Sequence, residues 1–302
     1  MKTDSRTTEQ IAIVLKQWGI SGEDIKHIYT SAHNSSWNVG GKYVLQQHFK
    51  PNIEFQSRKI RLVSLLAKER IPTVVYLKTI KGDWTAPEGA YTLAEMLEGE
   101  HIDFFEAPEL MCELGRGLAQ LHLAFSKLES DLQCKDNDFY AEWENYIKPG
   151  LVGVSNEIIE QTEAKLSAVY RNLPRCPIHR DVHEENILFH NDKISGWLDF
   201  DLSRRDIRIF DMAYLLAGLL VGNIGDSTKL KTWKTIYRNL LDGYSEINRL
   251  TEDEISVLPD LMIAIELLFV TYWNDMGDEA EHKKANELAE WLFKMKYVDI
   301  VI

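Results

Sequence analysis

The sequence predicts an α+β fold: a small antiparallel β-rich region over about residues 1–95, then a larger, mainly helical region over 96–302. Three observations predict it. Short strand-like runs bounded by Gly, Pro and Asn cluster before residue 97, with two helical patterns among them. After Glu98-Gly99-Glu100 the apolar residues take up helical spacing and keep it. The exception in the second region is a single hairpin pattern inside residues 176–201, CPIHRDVHEENILFHNDKISGWLDFD, where acidic residues and histidines crowd together.

The elements follow in order. Ile11, Val14, Leu15 and Trp18 predict an opening helix over 7–19. Strands are expected at Ile25–Thr30, Trp37–Val39 and Lys42–Phe49. The loop SAHNSS at 31–36 separates the first two and Gly40-Gly41 turns between the second and third. A helix over 56–69 follows, then strands TVVYL (73–77) and AYTLAEML (90–97) around a turn at Gly82-Asp83. In the second region, Leu110, Leu114, Leu118, Leu121 and Phe125 form a one-sided helical stripe. Ile158 to Leu173 suggests another helix. Phe210–Val221 is apolar on nearly every side and should be buried, and further helices are expected at 228–247, 252–273 and 278–296. A hinge near 95–100 would divide the two regions, and a cleft between such regions commonly takes a ligand.

Composition excludes several classes. The net charge of −13 opposes binding to nucleic acid, while it is compatible with a cationic small substrate. The longest strongly apolar run, near Met212–Val221, is too short to span a bilayer, and MKTDSRTTEQ lacks the apolar core of a signal peptide. Cys112, Cys134 and Cys176 are scattered and read as reduced thiols. The expectation is a cytoplasmic protein with no membrane segment.

The chemistry concentrates in the stretch 176–201. Ile187–His190 and Lys193–Leu198 flank Asn191-Asp192, a two-residue hairpin turn. Asn186 then faces Trp197, and Asp199 lies two residues further along, so both sit at the open end of the hairpin with Asp181 just before it. An amide oxygen and a carboxylate suit Mg2+, which takes few protein ligands plus phosphate oxygens. Asp181 is left to accept a proton. The spacing HRDVHEEN followed by DFD meets the phosphoryl-transfer template H-R-D-x-x-x-x-N plus a metal-binding Asp, with ATP or GTP as donor. A zinc site built on His179, Asp181 and His183 is the competing reading, without the H-E-x-x-H spacing or a cysteine cluster to support it. A plain polar loop leaves the spacing unexplained.

These residues carry a resemblance. HRDVHEEN, LDFD at 198–201, Asp211-Met212-Ala213, the LAQLH of 118–122 and the LEGE of 97–100 resemble, in order, the motifs of the aminoglycoside phosphotransferase / choline kinase family. The resemblance implies a two-lobed protein-kinase-like fold and ATP-dependent phosphorylation of a small hydroxyl compound, such as an aminoglycoside, amino alcohol or sugar. It implies Asp181 as catalytic base and Asn186 and Asp199 as metal ligands. His179 and Asp211 would support the loop, and Glu95 and Met96 would present hinge backbone to the base. Asp201 and Asp206 are candidates for a cationic substrate. Two positions depart from the kinase pattern: the nucleotide loop offers Ser35 and Ser36 rather than glycines, and Gln46 stands where a phosphate-binding Lys is expected, with Lys42 or Lys50 nearby. Those departures keep a second reading open, a non-catalytic nucleotide-binding or structural protein of the same fold. A protein kinase is a weaker alternative, because both A-P-E tripeptides lie upstream of the catalytic loop.

Overall fold

The computed structural model describes residues 7–31, 33–87, 89–132 and 138–295. The chain divides into two compact units, Met1–Gly99 with Ser195–Leu198, and Glu100–Ile194 with Asp199–Ile302.

The first unit is one antiparallel sheet with two helices. Helix α1 (Thr8–Leu15) opens on a capping box between Thr7 and Gln10. Strands β1 (Ile25–Thr30), β2 (Asn34–Val39), β3 (Tyr43–His48) and β4 (Tyr91–Glu95) follow one another in the sheet. Helix α2 (Ile53–Lys68) starts where the Asn52 side chain accepts the Phe55 N–H at 3.0 Å. The apolar faces of α1 and the sheet meet through Ile11, Leu15, Trp37, Val39, Leu45 and Leu93. The expected strand TVVYL is not a strand. It makes only isolated bridges, Thr73 to Trp197 and Tyr76 to Ala94. Its hydrogen bonds are divided between two partners, residue 197 and β4, so no continuous ladder forms.

The second unit is helical. Helix α3 (Met111–Leu132) is followed by three short pieces that the apolar pattern does not reveal: α4 (Phe139–Glu142), a π-helical turn at Trp143–Ile147, and α5 (Lys148–Gly150). Then come α6 (Asn156–Val169), β5 (Arg175–Ile178), β6 (Ile187–His190), β7 (Lys193–Trp197), whose residues 195–197 are counted with the first unit, and β8 (Arg204–Ile207). The chain continues through α7 (Phe210–Gly218), α8 (Ser227–Ile247), α9 (Glu252–Met276) and α10 (Glu279–Met295). β6 and β7 are the expected hairpin. Asn191 and Asp192 adopt φ of 50° and 59°, the left-handed pair that a type I′ turn requires. β5 pairs with β8, a second ladder.

Helices α3 and α8 cross closely through Gly115 and Gly243. A Cβ on Gly243 would lie 2.1 Å from the Cys112 carbonyl oxygen, and one on Gly115 would lie 2.2 Å from that of Leu240. Helix α9 packs against α6, α7 and α10. It is longer than the 212–221 run and apolar enough to cross a membrane, with mean hydropathy 1.8 over its most apolar window. That window is 67% buried inside the protein, so its apolarity serves the core.

Candidate active site

The loop between β5 and β6 is held by a buried carboxylate. Asp211, in the first turn of α7, accepts the backbone N–H of His179 at 2.9 Å and of Arg180 at 2.7 Å. Ile209, not Asp211, occupies the N-cap of α7. Arg180 is left-handed, with φ of 71°, a conformation that costs a non-glycine residue on the order of 1–3 kcal/mol and persists only where the surroundings impose it. They do so here: its N–H is bound to Asp211, its guanidinium pairs with Glu142, and it lies 5.4 Å from the Phe210 ring centroid. The His179 ring is buried and packs 4.7 Å from that of Phe200. Its Nδ1 accepts the Asp181 N–H at 3.3 Å.

Asp181 emerges from this loop half-buried. Its Oδ1 accepts the Tyr214 hydroxyl at 2.8 Å and its Oδ2 accepts Asn186 Nδ2 at 3.1 Å. The His183 imidazole stands 3.6 Å from Oδ2. Burial by itself would raise the carboxyl, but His183 and Tyr214 outweigh it and hold Asp181 below the ordinary carboxylate range. The site therefore keeps an ionised acceptor at neutral pH.

Asn186 sits on a 3₁₀ turn (Glu184–Asn186) entering β6 and spends its amide nitrogen on Asp181 and on His183 Nε2, at 2.8 Å. Those bonds orient the side chain and use none of its Oδ1. Asp199 is exposed and left-handed, with φ of 51°, and its Oδ1 accepts the Asp201 N–H at 3.2 Å. An oriented amide oxygen and an exposed carboxylate are hard donors of the kind a magnesium ion takes. The residues fit that cation. Among the described residues no cluster of three His, Cys, Asp or Glu has metal-site geometry, which argues against zinc at His179, Asp181 and His183.

Several expectations are corrected. Asp206 cannot meet a substrate: it is fully buried on β8, where its Oδ1 accepts the Tyr170 hydroxyl at 3.1 Å and the Ile207 N–H at 2.8 Å. Ser35 and Ser36 are not loop residues. β2 begins at Asn34, so both are buried and paired on either side, and the Ser35 hydroxyl bonds to Thr30 Oγ1 at 2.7 Å. Glu95 and Met96 have no free backbone N–H, since these donate to the Val75 and Lys42 carbonyls at 2.9 and 2.8 Å; only their carbonyls remain to offer. Gln46 lies mid-strand on β3, between Ser36 and Thr92. Lys42 and Lys50 are exposed, whereas Lys59, on α2, is buried.

Tyr214 and Glu266 had no sequence signal of their own, and His122 was marked only as part of a motif. His122, within the LAQLH motif, bonds Asp211 Oδ2 through Nε2 at 3.0 Å and Tyr244 through Nδ1 at 2.9 Å. Tyr214 lies one helical turn past Asp211. A cavity of about 390 Å³ opens beside the loop, lined by Val182, His183, Tyr214, Glu266, Phe269 and Trp273 among others. Burial alone raises the Glu266 carboxyl to about 8.

Residues 25–247 match the phosphotransferase enzyme family. A homoserine kinase of Methylobacillus glycogenes is 24% identical over 88% of this chain and 83% of its own length. Another, from Xanthobacter autotrophicus, is 30% identical over 63% of this chain and 60% of its own. Among solved structures, an amicoumacin kinase in complex with AMP-PNP, Ca2+ and its antibiotic superposes with a TM-score of 0.72 at 16% identity, over 96% of this chain and 94% of that one. A macrolide 2'-phosphotransferase of Brachybacterium faecium gives 0.67 at 15% identity, over 93% and 97%. With the matched segment covering most of its length, this chain belongs to the phosphotransferase enzyme family: it has the protein-kinase-like fold and is a small-molecule kinase that phosphorylates an alcohol group.

Proposed function

We propose that the protein transfers the γ-phosphate of ATP to a hydroxyl of a small metabolite or antibiotic, with Asp181 as the base. The observation that carries this reading is the Asp181 carboxylate, held ionised by Tyr214 and His183 on a loop that Asp211 fixes. Asp181 takes the proton of the acceptor hydroxyl as that oxygen bonds to the γ-phosphorus. The bond to the β–γ bridging oxygen breaks, and nucleoside diphosphate leaves. Asn186 Oδ1 and Asp199 would hold Mg2+, which supplies positive charge to the phosphate oxygens. Gln46 would offer the nucleotide an uncharged hydrogen bond. His179 and Asp211 keep the loop in register.

The relatives named homoserine kinase and the antibiotic kinases of similar fold make homoserine, amino sugars, amino alcohols and neutral sugars the acceptors to screen by ADP release. Asp181→Asn and Asp199→Asn are expected to abolish phosphorylation while melting as cooperatively as the parent. ATP should raise the melting temperature only with Mg2+ present. Full activity in folded Asp199→Asn protein would overturn the assignment.

A further inference from the structure

Arg180 carries a side chain that phosphotransfer by itself does not use. It stands directly before Asp181, so its backbone sets the direction in which the Asp181 carboxylate leaves the loop. Its φ of 71° lies in the left-handed region that glycine enters freely and other residues enter at a cost. Asp211 fixes the N–H groups of His179 and Arg180, and the Arg180 side chain is held by another element.

That element is α4. Phe139 meets Phe210 edge to face, with ring centroids 5.3 Å apart, and the Arg180 guanidinium lies 5.4 Å from the same Phe210 centroid. Glu142, one turn of α4 after Phe139, pairs with Arg180 Nη2. The Arg180 side chain is 8% exposed and that of Glu142 24%, so solvent and salt screen this pair less than a surface pair. Arg204 of β8 stands in the same neighbourhood. Burial and then Arg180 disfavour its charge, while Glu142 and Asp206 oppose them. Glu142 therefore also offsets repulsion between two guanidiniums beside the loop. The brace is anchored at both ends. Asp138 accepts the Tyr140 and Ala141 N–H groups at 3.0 and 3.3 Å, and Trp143 and Ile147 of the following π-helical turn are fully buried.

We propose that Glu142 is a positioning residue for the base: its pairing with Arg180 holds residue 180 left-handed and thereby aims Asp181. The proposal rests on the phosphotransfer reading above and adds to it a carboxylate 38 residues before Arg180 on which the reach of the base depends.

The test is a double-mutant cycle on Glu142→Gln and Arg180→Gly, with Arg180→Ala alongside. ADP release from Mg·ATP is measured with homoserine as acceptor and, in its absence, with water as acceptor. Glu142→Gln should lower kcat by about 10-fold, with KM for Mg·ATP and the melting shift from Mg·ATP unchanged. Glycine adopts the left-handed backbone without the clasp and alanine does not, so Arg180→Gly should keep roughly 10-fold more kcat than Arg180→Ala. Adding Glu142→Gln to Arg180→Gly should then change kcat by less than about 2-fold. Where neither acceptor turns over, hydrogen exchange reads the same cycle. The amides of His179 and Arg180 should exchange about 10-fold faster in Glu142→Gln than in the parent, with α9 unaffected. Parental kinetics and exchange in Glu142→Gln, an equal loss in the parent and Arg180→Gly backgrounds, or equal activity of the glycine and alanine variants would overturn the proposal. Those results leave phosphotransfer standing. Loss of the phosphotransfer reading would appear separately, as activity that survives Asp181→Asn and Asp199→Asn.

Discussion

His122 Nε2 lies 3.0 Å from Asp211 Oδ2, and both side chains are fully buried. Through this contact α3 grips the carboxylate that holds the loop between β5 and β6, and Tyr244 of α8 braces the other ring nitrogen. One carboxylate thus accepts three bonds, two of them from the backbone of His179 and Arg180.

Removing that carboxylate strands buried donors. Asp211→Ala is expected to cost about 3–5 kcal/mol of stability. His122→Ala should cost less and lower kcat by shifting the loop, with KM for ATP nearly constant. Urea denaturation and steady-state kinetics of the two variants read out the difference. An Asp211→Ala protein as stable as the parent would show that the loop holds itself.

Tyr214 touches Asp181 and lines the cavity. Tyr214→Phe deletes one hydroxyl and keeps the ring. A charge-assisted hydrogen bond of about 1.5–3 kcal/mol is lost, so kcat should fall by roughly 10-fold to 100-fold. Stability should change little, because the ring still fills its space. Unchanged kinetics would remove Tyr214 from the machinery.

The α3–α8 crossing depends on Gly243. A methyl group there would meet the Cys112 backbone at 2.1 Å, and neither helix backbone can give way cheaply. Gly243→Ala should therefore destabilise by about 1–3 kcal/mol or more, although alanine is the better helix former. Its melting temperature, compared with that of the exposed Gly218→Ala in α7, isolates the steric effect.

Glu266 makes a pH prediction. Its carboxyl titrates at about 8 in the folded protein against an ordinary value of 4.5, so the folded state binds the extra proton between those values. Stability from this group is present below about pH 4.5 and is lost as pH rises through about 8. Over that range the loss approaches about 5 kcal/mol at most. Glu266→Gln should flatten that part of the stability curve. The other titratable groups around the cavity, Tyr214, His183, Glu184, Glu185, Glu281 and Lys284, are common to both proteins and cancel in the difference. Denaturation midpoints from pH 5 to 8.5 measure it; parallel curves would place an unseen partner on Glu266.

The hairpin was legible in the sequence because it is local. Asn191-Asp192 sets the turn, and the turn sets where Asn186 and Asp199 fall. Helical periods were legible for the same reason, and α3, α8 and α10 lie close to where the apolar stripes put them. Misreadings came where a residue answers to distant partners. Ser35 and Ser36 look like loop residues until β3 pairs with them, and TVVYL looks like a strand until its bonds are divided between residue 197 and β4. Asp206 looks like a surface charge until Tyr170, 36 residues away, bonds to it.

By itself, then, the sequence determined the candidate kit: two acids and an amide proposed for base and metal, and the turn that spaces them. Only the tertiary structure decided which side chains from elsewhere tune that kit. Tyr214 reaches Asp181 across 33 residues, His122 reaches Asp211 across 89, and α9 carries Glu266 to the cavity wall. Backbone period and turn chemistry act over a few residues and are written in spacing. Desolvation and contact between distant segments exist only after the chain has packed, and those two effects set the charge of Asp181 and of Glu266.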